Sequence, residues 1–241
     1  ISAVAGGRSE VKVQFYYNDN DYWAWYWAID DIAISELPED NIQCSNESMG
    51  GWWIGYQTVG GLGQDYTFNP MSQATANPYA FEAVLLNGGI NNQDATMHVE
   101  VTEDATSSNV FSSTSNVLTL ASSEQDTVAA TANFTPANNG LYMAEIWTES
   151  VGASGNTSYS DTATKMTIVT DYTYGKDLNS ANGYWRLNRT TGANGGGGFE
   201  ITSSYDMYAD ETIYSIEANI ADWSIPGAIV YGALYEEDID P

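Results

Sequence analysis

Short runs in which apolar and polar residues alternate, each closed by a turn signal, recur along most of this 241-residue chain and favour strands over helices. The plainest are near its start. Val11, Val13, Phe15 and Tyr17 alternate with Lys12, Gln14 and Tyr16, and Trp23, Trp25, Trp27 and Ile29 alternate with Ala24, Tyr26 and Ala28. Asn18-Asp19-Asn20-Asp21 lies between the two runs, so they predict a hairpin closed by an acidic turn. A hairpin with this much aromatic surface does not hide its apolar face alone. The rest of its domain is therefore expected upstream or from another chain, and Ile1 reads as a processed end or as the first residue of a piece of a longer polypeptide.

Between residues 36 and 48 the alternation fades into polar and acidic residues around Pro38, and residues 38–48 read as a linker. Strands are then predicted at 52–57, 66–68, 79–86, 96–102, 117–120, 127–134, 141–148 and 165–169, with turn signals at Asn87-Gly88-Gly89, at Asn138-Asn139-Gly140 and over 152–156. Short strands at this spacing predict an immunoglobulin-like β-sandwich over 49–170. The pattern restarts at 171–241, with Tyr174, a Gly-rich stretch at 192–198 and strands predicted at 211–220 and 228–235. The fold class is thus all-β, built of tandem β-sandwich modules.

A hydrophobic fraction of 43% is enough for a buried core. Six Lys plus Arg stand against 32 Asp plus Glu, a formal net charge of -26. That balance argues against nucleic acid and against anionic membrane surfaces, both of which are bound chiefly through cations. It keeps a protein soluble through self-repulsion, and leaves individual loops open as cation sites. Cys44 is the only cysteine, so neither an intrachain disulfide nor a Cys-rich zinc site can form. No apolar run is as long as a membrane-spanning helix, and direct membrane insertion is not expected.

Pro136, Asn139, Gly140 and Tyr142 resemble the Asp-x-Gly-x-Tyr corner before the sixth strand of immunoglobulin-like domains, although Asn139 stands where Asp is usual. The resemblance implies that the Tyr142 hydroxyl caps a backbone turn. Ala144 occupies the place of the family's disulfide cysteine. Residues 11–37, with Trp25-Tyr26-Trp27-Ala28-Ile29-Asp30-Asp31-Ile32-Ala33-Ile34, resemble the last strands of the MAM-like jelly-roll domains of very large secreted Bacteroidetes proteins. On that resemblance 1–37 are the end of one jelly roll, 49–170 an immunoglobulin-like module, and 171–241 the start of a further jelly roll. It implies a type IX secretion substrate, extracellular and on the cell surface, adhesive or structural and without chemistry of its own. Two alternatives stand beside it: the accessory region of a secreted hydrolase, or a carbohydrate-binding module. The partners implied are neighbouring modules of the same long chain, surface polysaccharide or other envelope proteins.

Catalytic machinery is sparse. His98, the sole histidine, lies in an alternating run that makes it one face of an ordinary strand. The glycines at 195–198 are not followed by Lys-Ser or Lys-Thr, so they do not read as a phosphate loop. Calcium is the cofactor the residues allow. Asn18, Asp19, Asn20 and Asp21 gather carboxylate, amide and carbonyl oxygens in one turn, and Asp30 and Asp31 form a second candidate, since one of two consecutive strand residues points inward. Asn and Asp also favour turns by bonding to their own backbone, and an inward carboxylate is equally served by a backbone amide. Trp185, beside Arg186, is the aromatic most available for stacking on a sugar. Thr127 and Thr162, in Asp126-Thr127-Val128 and Asp161-Thr162-Ala163, resemble the short O-glycosylation signal of Bacteroidetes envelopes.

Overall fold

Where apolar residues fall at every second position, their side chains line one face, and two such faces close on each other. The computed structural model describes residues 9–18, 20, 28–29, 36–50, 67–176, 202–222, 224, 227 and 229–236. It divides into two units, Ile1–Glu36 and Leu37–Pro241.

The second unit holds ten strands and one short helix among the described residues: β1 (Ile42–Met49), β2 (Phe68–Pro70), α1 (Met71–Ala76), β3 (Phe81–Asn87), β4 (Gln93–Glu103), β5 (Ser108–Thr114), β6 (Leu118–Leu120), β7 (Gln125–Ala129), β8 (Gly140–Gly152), β9 (Thr157–Tyr159) and β10 (Ala163–Thr170). One sheet has the order β1-β3-β7, the other β2-β10-β8-β4-β5, with β6 added to β4 and β9 to β8. Every pairing between these strands is antiparallel except that of β2 with β10. The result is an all-β fold of two sheets packed as a sandwich.

The inner faces follow the alternation. Phe81, Ala83 and Leu85 of β3 meet Ala95, Met97, Val99 and Val101 of β4 and Tyr142, Ala144 and Ile146 of β8. Small residues at Ala83, Ala95 and Ala144 let the sheets approach, and larger rings fill one end. There Phe134 packs on Tyr142, Phe111 and Tyr79 at ring-centroid distances of 5.2, 5.6 and 6.1 Å. Ala144, in place of a cysteine, is fully buried, so packing alone joins the sheets at that point.

The predicted linker at 38–48 is corrected. Residues 42–49 form β1, which pairs with β3 from Ile42 opposite Asn87 to Met49 opposite Phe81. Its register shifts between Ser45 and Ser48, and Asn46 takes a φ of +54°. An extra residue in a bulge breaks the period of two, so the strand shows no alternation in sequence. β5 also escaped prediction because its Ser- and Asn-rich run sends only Phe111 toward the core.

A second correction concerns 211–220 and 228–235, predicted as strands. Their described residues carry no strand, and Ile213, Ile216, Ile220, Ile229 and Val230 are at least half exposed. Alternation assigns faces and does not by itself make a strand. The same holds in the first unit for 11–17, where Val11, Val13, Phe15 and Tyr17 are about half exposed and no strand is assigned. The partner run at 23–27 lies outside the described residues.

Candidate functional site

The tyrosine corner sits where the resemblance to immunoglobulin-like domains implies it. The Tyr142 hydroxyl donates to the Asn138 carbonyl at 2.8 Å and accepts from the Asn138 N–H at 3.2 Å, so one side chain closes the turn that opens β8. Gly140 holds a φ of +150°, which favours glycine, and Pro136 is buried beneath the turn. Burial raises the Tyr142 hydroxyl above the usual tyrosine range, opposed by the Asn138 hydrogen bond. Tyr79 is raised by burial too, its hydroxyl accepting from Asn69 Nδ2 at 3.0 Å.

At the opposite end of β8 the incoming chain is clamped. The Ile90 and Asn91 N–H groups donate to the Pro38 and Glu39 carbonyls at 3.0 Å each, and the Gly88 N–H donates to the Asn41 carbonyl at 2.9 Å. The Asp40 carboxylate accepts from Asn91 Nδ2 at 3.2 Å and from the Ser154 hydroxyl. Beneath this strap lies a fully buried amide pair. Asn87 Oδ1 accepts from the Gly89 N–H at 2.9 Å and from Gln93 Nε2 at 2.5 Å, while Asn87 Nδ2 donates to the carbonyls of Asn91 and Leu120 at 2.7 and 3.0 Å. Gln93 also donates to the Asn41 carbonyl at 2.9 Å and accepts from the Ser150 hydroxyl at 2.5 Å. Gly89 is required by close approach, since a Cβ there would stand 2.8 Å from the Glu39 carbonyl oxygen and 2.9 Å from the Asn41 nitrogen. Sequence reading identified Asn87-Gly88-Gly89 as a turn but not as the seat of this network.

No family model matches the chain, and no curated protein shows significant similarity. Solved structures offer a distant likeness in fold. A putative ApaA protein from Bordetella pertussis is 11% identical with a TM-score of 0.34, covering 55% of this chain and 97% of its own. The CARDB domain of the PF1109 protein in complex with di-metal ions, from Pyrococcus furiosus, is 12% identical with a TM-score of 0.31, covering 60% of this chain and 100% of its own. The ASH / PapD-like domain 7 of human CEP192 is 10% identical with a TM-score of 0.31, over 60% of this chain and 95% of its own.

Of the candidate metal ligands, Asn18 and Asn20 are described, and a hydrogen bond joins them. The Asn20 N–H donates to Asn18 Oδ1 at 2.9 Å, with Asn20 at a φ of +55°. Asp19, Asp21, Asp30, Asp31 and Trp185 lie outside the described residues. Thr127 and Thr162 are both exposed, Thr127 on the edge strand β7. His98 lies on the outer face of β4, opposite Trp147 of β8, the two rings stacked at 5.3 Å with planes 10° apart. Its Nε2 is 3.9 Å from Glu149 Oε2. Trp147 was not singled out from the sequence, yet its place in the alternation of β8 puts it outward. His98, Trp147, Glu100, Ser112, Thr114 and Thr131 border an open hollow of about 380 Å³.

Cys44, the only cysteine of the chain, is partly buried on β1. Burial pushes its thiol up to about 11, against the pull of the Thr148 hydroxyl, and the nearby Glu47 charge adds to the rise. Relative to an ordinary thiol at 9.0, that leaves about a hundredth of the thiolate at neutral pH. Iodoacetamide labelling at pH 8, followed by mass spectrometry, is accordingly expected to run about 100-fold slower in the native protein than in urea. Equal rates would mean that β1 opens freely.

Proposed function

We propose that this chain is a non-enzymatic stretch of a module array on an extracellular bacterial surface, in which the central sandwich spaces the modules on either side of it. The course of the chain through the sandwich carries this reading. The strap at 37–41 enters with Asp40 against Gly152, at one end of β8, and β10 leaves beside Gly140 at the other, where Asn139 Nδ2 donates to Asp171 Oδ1 at 2.6 Å. The thirteen residues of β8 separate these points by about 40 Å. Entry and exit at opposite ends suit modules strung end to end, whereas a domain inserted in a loop has adjacent ends. The partners on this reading are the neighbouring modules, with surface polysaccharide or envelope proteins as adhesive targets of the larger assembly.

Small-angle X-ray scattering of the 241-residue chain tests it. An end-to-end arrangement gives an elongated particle, with a radius of gyration well above the roughly 18 Å of one compact body of this length. A radius near 18 Å overturns the spacer reading.

A further inference from the structure

The short helix α1 carries a glutamine where an apolar residue would ordinarily face the core. Gln73 is 1% exposed, and its carboxamide is engaged on both sides by backbone about 135 positions further along the chain. Its Oε1 accepts from the Tyr208 N–H at 2.8 Å and from the Ala209 N–H at 3.1 Å, while its Nε2 donates to the Ala209 carbonyl at 2.9 Å. A side-chain amide has the donor and acceptor of a peptide group, so Gln73 bonds the bend at 208–209 as a backbone peptide group would. Burying such an amide is costly unless both ends are bonded, and residues 208–209 bond both.

A separate element grips the same run. After β10, the Tyr174 hydroxyl donates to the Asp206 carbonyl at 2.8 Å and its ring meets Tyr205 edge to face at 5.2 Å. Lys176 Nζ lies 5.4 Å from the centre of the Tyr205 ring, within reach of a cation–π contact. The Gly175 N–H and carbonyl are bonded to Phe68 of β2, and β2 pairs with β10, so the gripping residues are rooted in the sheet. Two rigid supports, one ahead of β3 and one after β10, thus converge on five consecutive residues.

We infer that α1 and residues 174–176 form a docking site for a peptide segment that bends at its end, and that its occupant is this chain's own segment 205–209. The site reads main chain through Gln73 and Tyr174 and one aromatic side chain, Tyr205. It makes a fixed joint between the sandwich and the segment that follows, in place of a free linker. The joint stands on its own geometry; only its use, setting the angle between successive modules, rests on the spacer reading.

Hydrogen exchange of the whole chain, resolved to single amides, tests the joint. The Tyr208 and Ala209 amides are expected to be protected in the unaltered protein, and Gln73→Ala is expected to speed their exchange about tenfold or more. The Met97 and Ile146 amides of the core should keep their rates. Should Gln73→Ala also release those core amides, Tyr174→Phe decides, since it removes only the hydroxyl and is expected to speed exchange at 208–209 several-fold. Unprotected amides at 208 and 209 in the unaltered chain overturn the inference. So do rates there that neither substitution changes. Scattering and exchange are separate readouts: a compact particle with protected amides removes the spacer and leaves the joint, and an elongated one with unprotected amides does the reverse.

Discussion

Phe134→Ala is expected to lower the unfolding free energy by about 3–5 kcal/mol, the range for truncating a buried phenylalanine. Phe134 is 3% exposed, and its ring touches Tyr79, Phe111 and Tyr142, which come from before β3, from β5 and from β8. Removing it leaves a hole that none of these rings closes without losing something. Tyr142 is held by its bonds to Asn138, and Tyr79 by its bond to Asn69, so neither ring is free to slump inward. The backbone of Phe134 adds to the constraint, since its N–H and carbonyl exchange hydrogen bonds with Tyr79 at 2.9 and 2.8 Å. Urea unfolding followed by tryptophan fluorescence measures the loss. Phe134→Leu, which keeps much of the volume, should cost less than half as much. A loss below 1 kcal/mol for the alanine variant would show that the aromatic cluster is not the keystone of the two sheets.

The second large effect is expected at a polar position. Asn87→Ala should cost about 2–4 kcal/mol, because two donors and two acceptors each lose a partner at a buried position. Removing the side chain does not merely delete four bonds. It leaves the Gln93 amide short of one partner and the Leu120 carbonyl without the one Asn87 supplied, and each buried unsatisfied group carries its own desolvation cost. Asn91→Ala is the contrasting variant, since its side chain reaches the half-exposed Asp40 and its loss should cost under about 1 kcal/mol. Denaturant titration of both variants checks the pair. Equal and small losses would mean that the polar network beneath the strap contributes little beyond the packing around it.

Both sites bear on which features of this protein are local and which are not. The tyrosine corner was legible in sequence because everything it needs lies within seven residues: Pro136 below, glycine at Gly140 for an unusual φ, and Tyr142 four residues after the carbonyl that it caps. The cores of β3, β4 and β8 were legible for a related reason, since a period of two states directly which side chains face inward. His98 was likewise readable as one face of a strand, and it proves to be an outward residue stacked on Trp147.

What escaped was decided by chain from elsewhere. β1 is polar and bulged, and becomes a strand because the edge of β3 is there to pair with it. The described residues of 11–17 and 211–220 alternate well and carry no assigned strand, so alternation by itself does not make one. Asn87, Gln93 and Gln73 are polar residues with nothing in their immediate sequence to say that they are buried. Each is buried because backbone groups distant along the chain arrive to satisfy its amide. Composition, alternation and turn chemistry by themselves determined an all-β chain, and the resemblance of 136–142 to an immunoglobulin-like corner added the tyrosine cap, because these depend on neighbours within a few residues. Only the tertiary structure decided which polar side chains lie inside and which edges are filled, because hydrogen-bond satisfaction and strand pairing belong to partners that the local sequence does not name.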